Sequence, residues 1–139
     1  MRPALTLLAL AGGVLLAGFS RPRQAGGING EWRGTSLCTD RERAPACHDE
    51  QVRYVFRSVG ATPDSTHVVA EKLVNGAYES MGELDLARDR ATGAWAAEFR
   101  SQRGDLARWT FAVRGDSLAG SLVSLPDGAR IRVVSARRK

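Results

Sequence analysis

Cys38, Cys47 and His48 are the residues whose chemistry is most versatile in this chain. Together they offer two thiolates and an imidazole, three ligands suited to zinc. The nine-residue step from Cys38 to Cys47 matches none of the short Cys-x-x-Cys spacings that structural zinc sites use. The same two thiols can instead close a disulfide, and an isolated pair in an exported chain favours that outcome. A cross-link over so short a loop contributes roughly 2–3 kcal/mol by the chain-entropy argument. The loop it closes, with Asp40, Arg41, Glu42, Arg43 and Pro45, has no large apolar side chain to hold it down. The reading is therefore a Cys38–Cys47 disulfide, no metal and no cofactor. His67 and the carboxylates Glu71, Glu83, Asp85 and Glu98 stand singly on separate segments, and His48-Asp49-Glu50 reads as a solvated run. No G-x-S-x-G, HExxH or phosphate-binding glycine loop is present, so the expectation is a protein that is not an enzyme.

The second set of informative residues is apolar. Trp32, Tyr54, Trp95, Trp109 and Phe111 are large flat surfaces suited to an apolar ligand, and each recurs in a segment with a two-residue period. In Arg108–Arg114, Trp109, Phe111 and Val113 alternate with Arg108, Thr110 and Arg114. In Gln51–Val59, Val52, Tyr54 and Phe56 alternate with Arg53 and Arg57. Such alternation is the mark of strands with one wet face. The strand-like runs are Gly30–Leu37, Gln51–Val59, His67–Val74, Tyr78–Leu86, Gly93–Arg100, Arg108–Arg114, Ser117–Leu125 and Ala129–Ala136. Short turns separate them, with Asn75-Gly76 the clearest two-residue hairpin signal.

Short connections imply sequential antiparallel pairing. A single antiparallel meander with one apolar face must bury that face, and curling into a barrel removes both exposed edges. The predicted fold is an all-β, eight-stranded antiparallel up-and-down barrel over residues 30–136. Its inward face also takes Gly34, Ser36, Leu84, Leu86, Ala97, Phe99, Leu118, Gly120, Leu122, Ile131 and Val133, and for His67–Val74 the inner set is ambiguous. The small residues Gly34, Ser36, Ala97 and Gly120 are compatible with a hollow interior and equally with a filled one.

Ahead of the barrel, Arg2 precedes the uncharged Ala4–Ala17 run, and small residues Gly18 and Ser20 follow. That order predicts a signal peptide over 1–20, cleaved before Arg21, with 21–29 a flexible leader. Phe19 occupies the place of the lipidated cysteine in a lipobox. The expected location is the bacterial periplasm or the exterior, with no stable membrane anchor. The net charge is +5, carried almost wholly by arginine. These arginines are interleaved with Asp and Glu rather than gathered in a stripe, which argues against nucleic acid as a partner.

Gly30-Glu31-Trp32 opens the first strand, directly ahead of the meander. A Gly-x-Trp in that place resembles the calycin superfamily, which groups lipocalins, avidin-like proteins and fatty-acid-binding proteins. The resemblance spans about Gly30 to Ala136. It implies that Trp32 closes one end of the barrel and stacks with a basic residue near the last strand, here Arg130, Arg132 or Arg137. Unlike lipocalins, the chain has no recognisable C-terminal helix and carries Arg114-Gly115-Asp116 at the corresponding turn. The group includes small periplasmic metalloprotease inhibitors with one disulfide near the first strand, to which Cys38–Cys47 is similar in kind.

Two functions follow as expectations. The first is a binding module for a small apolar ligand inside the barrel, with Trp32, Tyr54, Trp95, Trp109 and Phe111 as its wall. The alternative is an interaction protein or protease inhibitor that presents the Cys38–Cys47 loop and the barrel rim to a protein partner.

Overall fold

The computed structural model describes residues 27–125 and 127–139. The segment expected to be a signal peptide (1–20) and the expected leader up to residue 26 lie outside the described residues. Eight strands follow in chain order: β1 (Gly30–Cys38), β2 (Glu50–Ser58), β3 (Ser65–Val74), β4 (Ala77–Arg88), β5 (Trp95–Arg100), β6 (Leu106–Arg114), β7 (Ser117–Ser124) and β8 (Arg130–Arg138). Each pairs antiparallel with the next, and β8 returns to β1, so the sheet is a closed up-and-down barrel. The β3–β4 hairpin turns at Asn75 (φ 48°) and Gly76 (φ 82°). Two successive left-handed residues match the right-handed strand twist, which is why Asn-Gly serves there.

The period-two pattern places Trp32, Val52, Tyr54, Phe56, Leu86, Trp95, Phe111 and Leu118 inside, all buried. On β3 the inward residues are Thr66, Val68 and Ala70, leaving His67 outside between Asp85 (Nδ1, 2.7 Å) and Glu83 (Nε2, 2.8 Å). These two acceptors raise the imidazole pKa, Asp85 contributing most.

The phase of β8 differs from expectation by one residue. Val134 and Ala136 are buried, whereas Ile131 and Val133 are only half-buried. Two features explain this. Val133 and Val134 are adjacent and equally apolar, so they carry no phase. In addition the β7–β8 register slips between Leu122 and Val123, a bulge that shifts alternation by one. The resulting inward positions of β8 are Arg132, Val134, Ala136 and Arg138.

Gly34 and Gly120 mark filled space rather than a hollow. A side-chain carbon on Gly34 would lie 1.9 Å from the Ser135 carbonyl oxygen, so β1 and β8 approach each other more closely there than any other residue allows. On Gly120 it would lie 2.8 Å from the Phe111 ring.

Candidate functional site

At one end, the barrel is shut. Trp32 is fully buried, and its indole N–H donates to the Ile28 carbonyl at 2.7 Å. Gly27–Asn29, which the sequence reading assigns to the leader, forms this cap. Ile28 is buried, and Asn29 Nδ2 donates to the Ser58 hydroxyl at 2.7 Å. The guanidinium of Arg138 lies 4.2 Å from the centre of the Trp32 ring and donates to the carbonyls of Asn29 and Gly27. The basic partner of the tryptophan is thus Arg138 and not Arg130, Arg132 or Arg137. The choice follows from register: Arg138 sits opposite Trp32 across β1–β8.

Arg132 does different work towards the other end. Its side chain is turned inward and only 16% exposed. One nitrogen donates to the Ser36 hydroxyl at 2.9 Å and another to the His48 carbonyl at 2.9 Å, while Glu50 lies 3.6 Å away. Lys72 lies 3.7 Å from the same carboxylate. This cluster ties the foot of the disulfide loop to β8. The Cys38–Cys47 disulfide is formed, which withdraws both sulfurs from metal ligation. Tyr54 points its hydroxyl towards this cluster. Burial pushes its phenol up to about 12, against the opposing influence of the Ser36 hydrogen bond and the Arg132 charge.

Between these ends the wall opens on one side. β4 and β5 pair through only Ala87↔Ala96 and Arg88↔Trp95. Extending that register would set Leu84 opposite Phe99 and Glu83 opposite Arg100, but the ladder stops short. The strands splay just beyond a β3–β4 irregularity at Met81 and Gly82, where Gly82 has φ 138°. A bulge of this kind bends its strand away from the regular sheet.

Behind the splay lies a pocket of about 310 Å³. Tyr54, Trp109 and Phe111 form its aromatic side, and Val68, Ala70 and Leu84 face them from β3 and β4. Phe99 and Met81 complete the wall, with the Gly82–Glu83 segment at its edge. The aromatic rings support one another: Trp109 stacks on Phe111 at 5.4 Å, and Tyr54 and Phe56 meet Phe111 edge-on at 5.5 and 5.4 Å. A wall fixed this way keeps its shape without an occupant, as small-molecule sites do.

Of the five residues expected to bind ligand, the structure brings Tyr54, Trp109 and Phe111 together in this wall. Trp32 belongs to the closed end. Trp95 is buried at the start of β5 with Arg88 over its ring at 5.9 Å, and it too stands outside the pocket wall. The contributions of Val68, Ala70, Met81 and Leu84 depend on where β4 leaves β5. The one sequence signal of that departure is Gly82, a glycine interrupting a strand pattern.

A second hollow, of about 580 Å³, lies at the rim beside the disulfide loop. Leu106, Leu122 and Ile131 give it an apolar floor, and Arg43, Arg103 and Asp105 edge it. No family model matches this chain, and no curated protein matches it at a significant level.

Proposed function

We propose that this protein is an exported binding module that holds a small apolar molecule inside a calycin-like barrel, reached through the β4–β5 splay. The observation that carries the reading is the pocket of about 310 Å³ walled by Tyr54, Val68, Ala70, Leu84, Trp109 and Phe111. Its volume lies at the small end of the range of roughly 300–1,000 Å³ for ligand sites. An unfilled apolar hollow costs stability through lost packing. A ligand that restores those contacts stabilises the folded state by mass action. Export is supported by the disulfide, which persists in oxidising compartments, and by the Arg2–Ser20 segment with its signal-peptide order. The calycin likeness is supported by the meander, the closed barrel and the Trp32–Arg138 stack.

The test is titration with N-phenyl-1-naphthylamine, a neutral probe whose emission rises in apolar surroundings. The wild-type protein is expected to give a saturable rise, and Ala70→Phe, which fills the pocket, is expected to abolish it. An equal rise in both proteins, or none in either, contradicts the reading.

The alternative of a protein-binding rim draws on the hollow beside the disulfide loop, where Arg43 and Ala44 of the loop form part of the wall. Its test is capture of a protein partner that is lost on Arg43→Glu while probe binding remains.

A further inference from the structure

Phe99 is the single residue that lies in the walls of both the inner pocket and the rim hollow. It occupies a distinctive place among the aromatic side chains. Tyr54, Phe56, Trp109 and Phe111 interlock with one another. Trp32, Trp95 and Tyr78 each carry a guanidinium over the ring. Among the described aromatic residues, Phe99 alone has neither a ring partner nor a cation. It is half-buried, on the shortest strand, and the strand that should flank it has turned away. Continued pairing would place Leu84 opposite it, and that position is instead part of the pocket.

From these facts we propose that Phe99 is a movable partition, and that the two hollows are one elongated site for a single-chain amphiphile. This rests on the apolar-ligand reading above and specifies the ligand class. The tail fills the inner pocket against Trp109 and Phe111. The chain then passes Phe99, whose ring turns into the β4–β5 splay. The polar end comes to rest at the rim, where Ser101, Gln102, Arg103 and Asp105 supply hydrogen-bonding groups of both signs. The polarity of the two hollows supports this direction: the inner wall is mostly apolar with Glu83 as its one charged residue, whereas Arg43, Arg103 and Asp105 gather at the rim.

The experiment is calorimetric titration with two homologous series, sodium octanoate to hexadecanoate and octyl- to hexadecyltrimethylammonium bromide, each below its micelle concentration. Burying each further methylene tightens binding about fourfold. In the wild type the gain is expected to continue through the longer chains in at least one series. In Phe99→Trp, whose larger ring cannot clear the passage, the gain stops at short chains. In Phe99→Ala the longest chains bind several-fold more tightly than in wild type. Phe99→Leu, which keeps most of the apolar bulk, guards against misfolding of the alanine variant and is expected to fall between wild type and Phe99→Ala. A length profile that levels off at the same short chain in wild type and every variant overturns the partition. Short chains that still bind, and are lost in Ala70→Phe, would then leave the inner pocket standing. No binding by any member of either series overturns both.

Discussion

The closed end of the barrel and the β4–β5 side are built from the same kinds of residue and behave oppositely. At the closed end every large group has a partner: Trp32 has Ile28 beside it, Arg138 above it and a carbonyl for its indole N–H. Thr66 donates its hydroxyl proton while Asn29 and Arg57 supply acceptors at 2.7 and 3.0 Å. On the β4–β5 side a strand leaves the ladder after two rungs, and the aromatic wall it exposes is left facing a hollow. The difference shows where stability and binding are separated. Interlocked packing serves the fold, and a ladder interrupted at one seam provides the room.

Substitutions should therefore divide by region. The largest effect is expected from Trp32→Ala, which empties the closed end and costs about 3–5 kcal/mol in urea unfolding, while surviving folded protein keeps its affinity for the apolar probe. An equal loss from Leu84→Ala would erase the contrast, because Leu84 already borders open space and should cost clearly less.

Next comes the junction between the two regions, Tyr54. Its phenol ionises at about 12 in the folded state against about 10 when unfolded. A raised pKa contributes stability that is complete below pH 10 and is lost as pH climbs towards 12. The loss is on the order of 2 kcal/mol, and Tyr54→Phe should remove most of that alkaline dependence. Retention of the full dependence in Tyr54→Phe would place the ionising group elsewhere.

Filling the hollow should act in the opposite direction to opening the closed end. Ala70→Phe is expected to hold or raise stability, by up to about 2 kcal/mol, while removing probe binding. A strong destabilisation would mean that the space is not there to be filled.

The smallest effect belongs to His67 on the outer face. Asp85 first and Glu83 second hold its imidazole protonated beyond its usual range. Its contribution is complete below pH 6.5 and fades as pH rises through the elevated value. His67→Gln should flatten the shallow decline of the melting temperature across neutral pH and leave binding untouched.

Most of the barrel is legible in the amino-acid sequence because one physical rule, apolar side chains at every second position, repeats in segment after segment. The number and order of the strands, the Asn75-Gly76 turn and the disulfide follow from local chemistry, whereas the last strand runs to Arg138, two residues beyond the expected end at Ala136, because its pairing with β1 continues to Trp32. Three further features do not follow from it. The inward turn of Arg132 and Arg138 depends on a one-residue slip between β7 and β8, which adjacent valines conceal. The partner of Trp32 depends on register, and Arg130, Arg132 and Arg137 are locally indistinguishable from Arg138. The pocket depends on where β4 leaves β5, a property of two strands together, with only Gly82 to mark it. Tyr54, Trp109 and Phe111 are thus legible as wall residues and Leu84 and Phe99 as inward-facing ones, whereas the inner set of β3, Val68 and Ala70, and the gathering of all of these around one pocket follow only from the splay.

The three tryptophans offer a direct measurement of the central claim. Each indole N–H gives its own signal in a nitrogen–proton correlation spectrum, and only Trp109 borders the hollow. Addition of N-phenyl-1-naphthylamine is predicted to move the Trp109 signal saturably while those of Trp32 and Trp95 stay in place. Three stationary signals, or three that drift together without saturating, would contradict an internal site on the β4–β5 side.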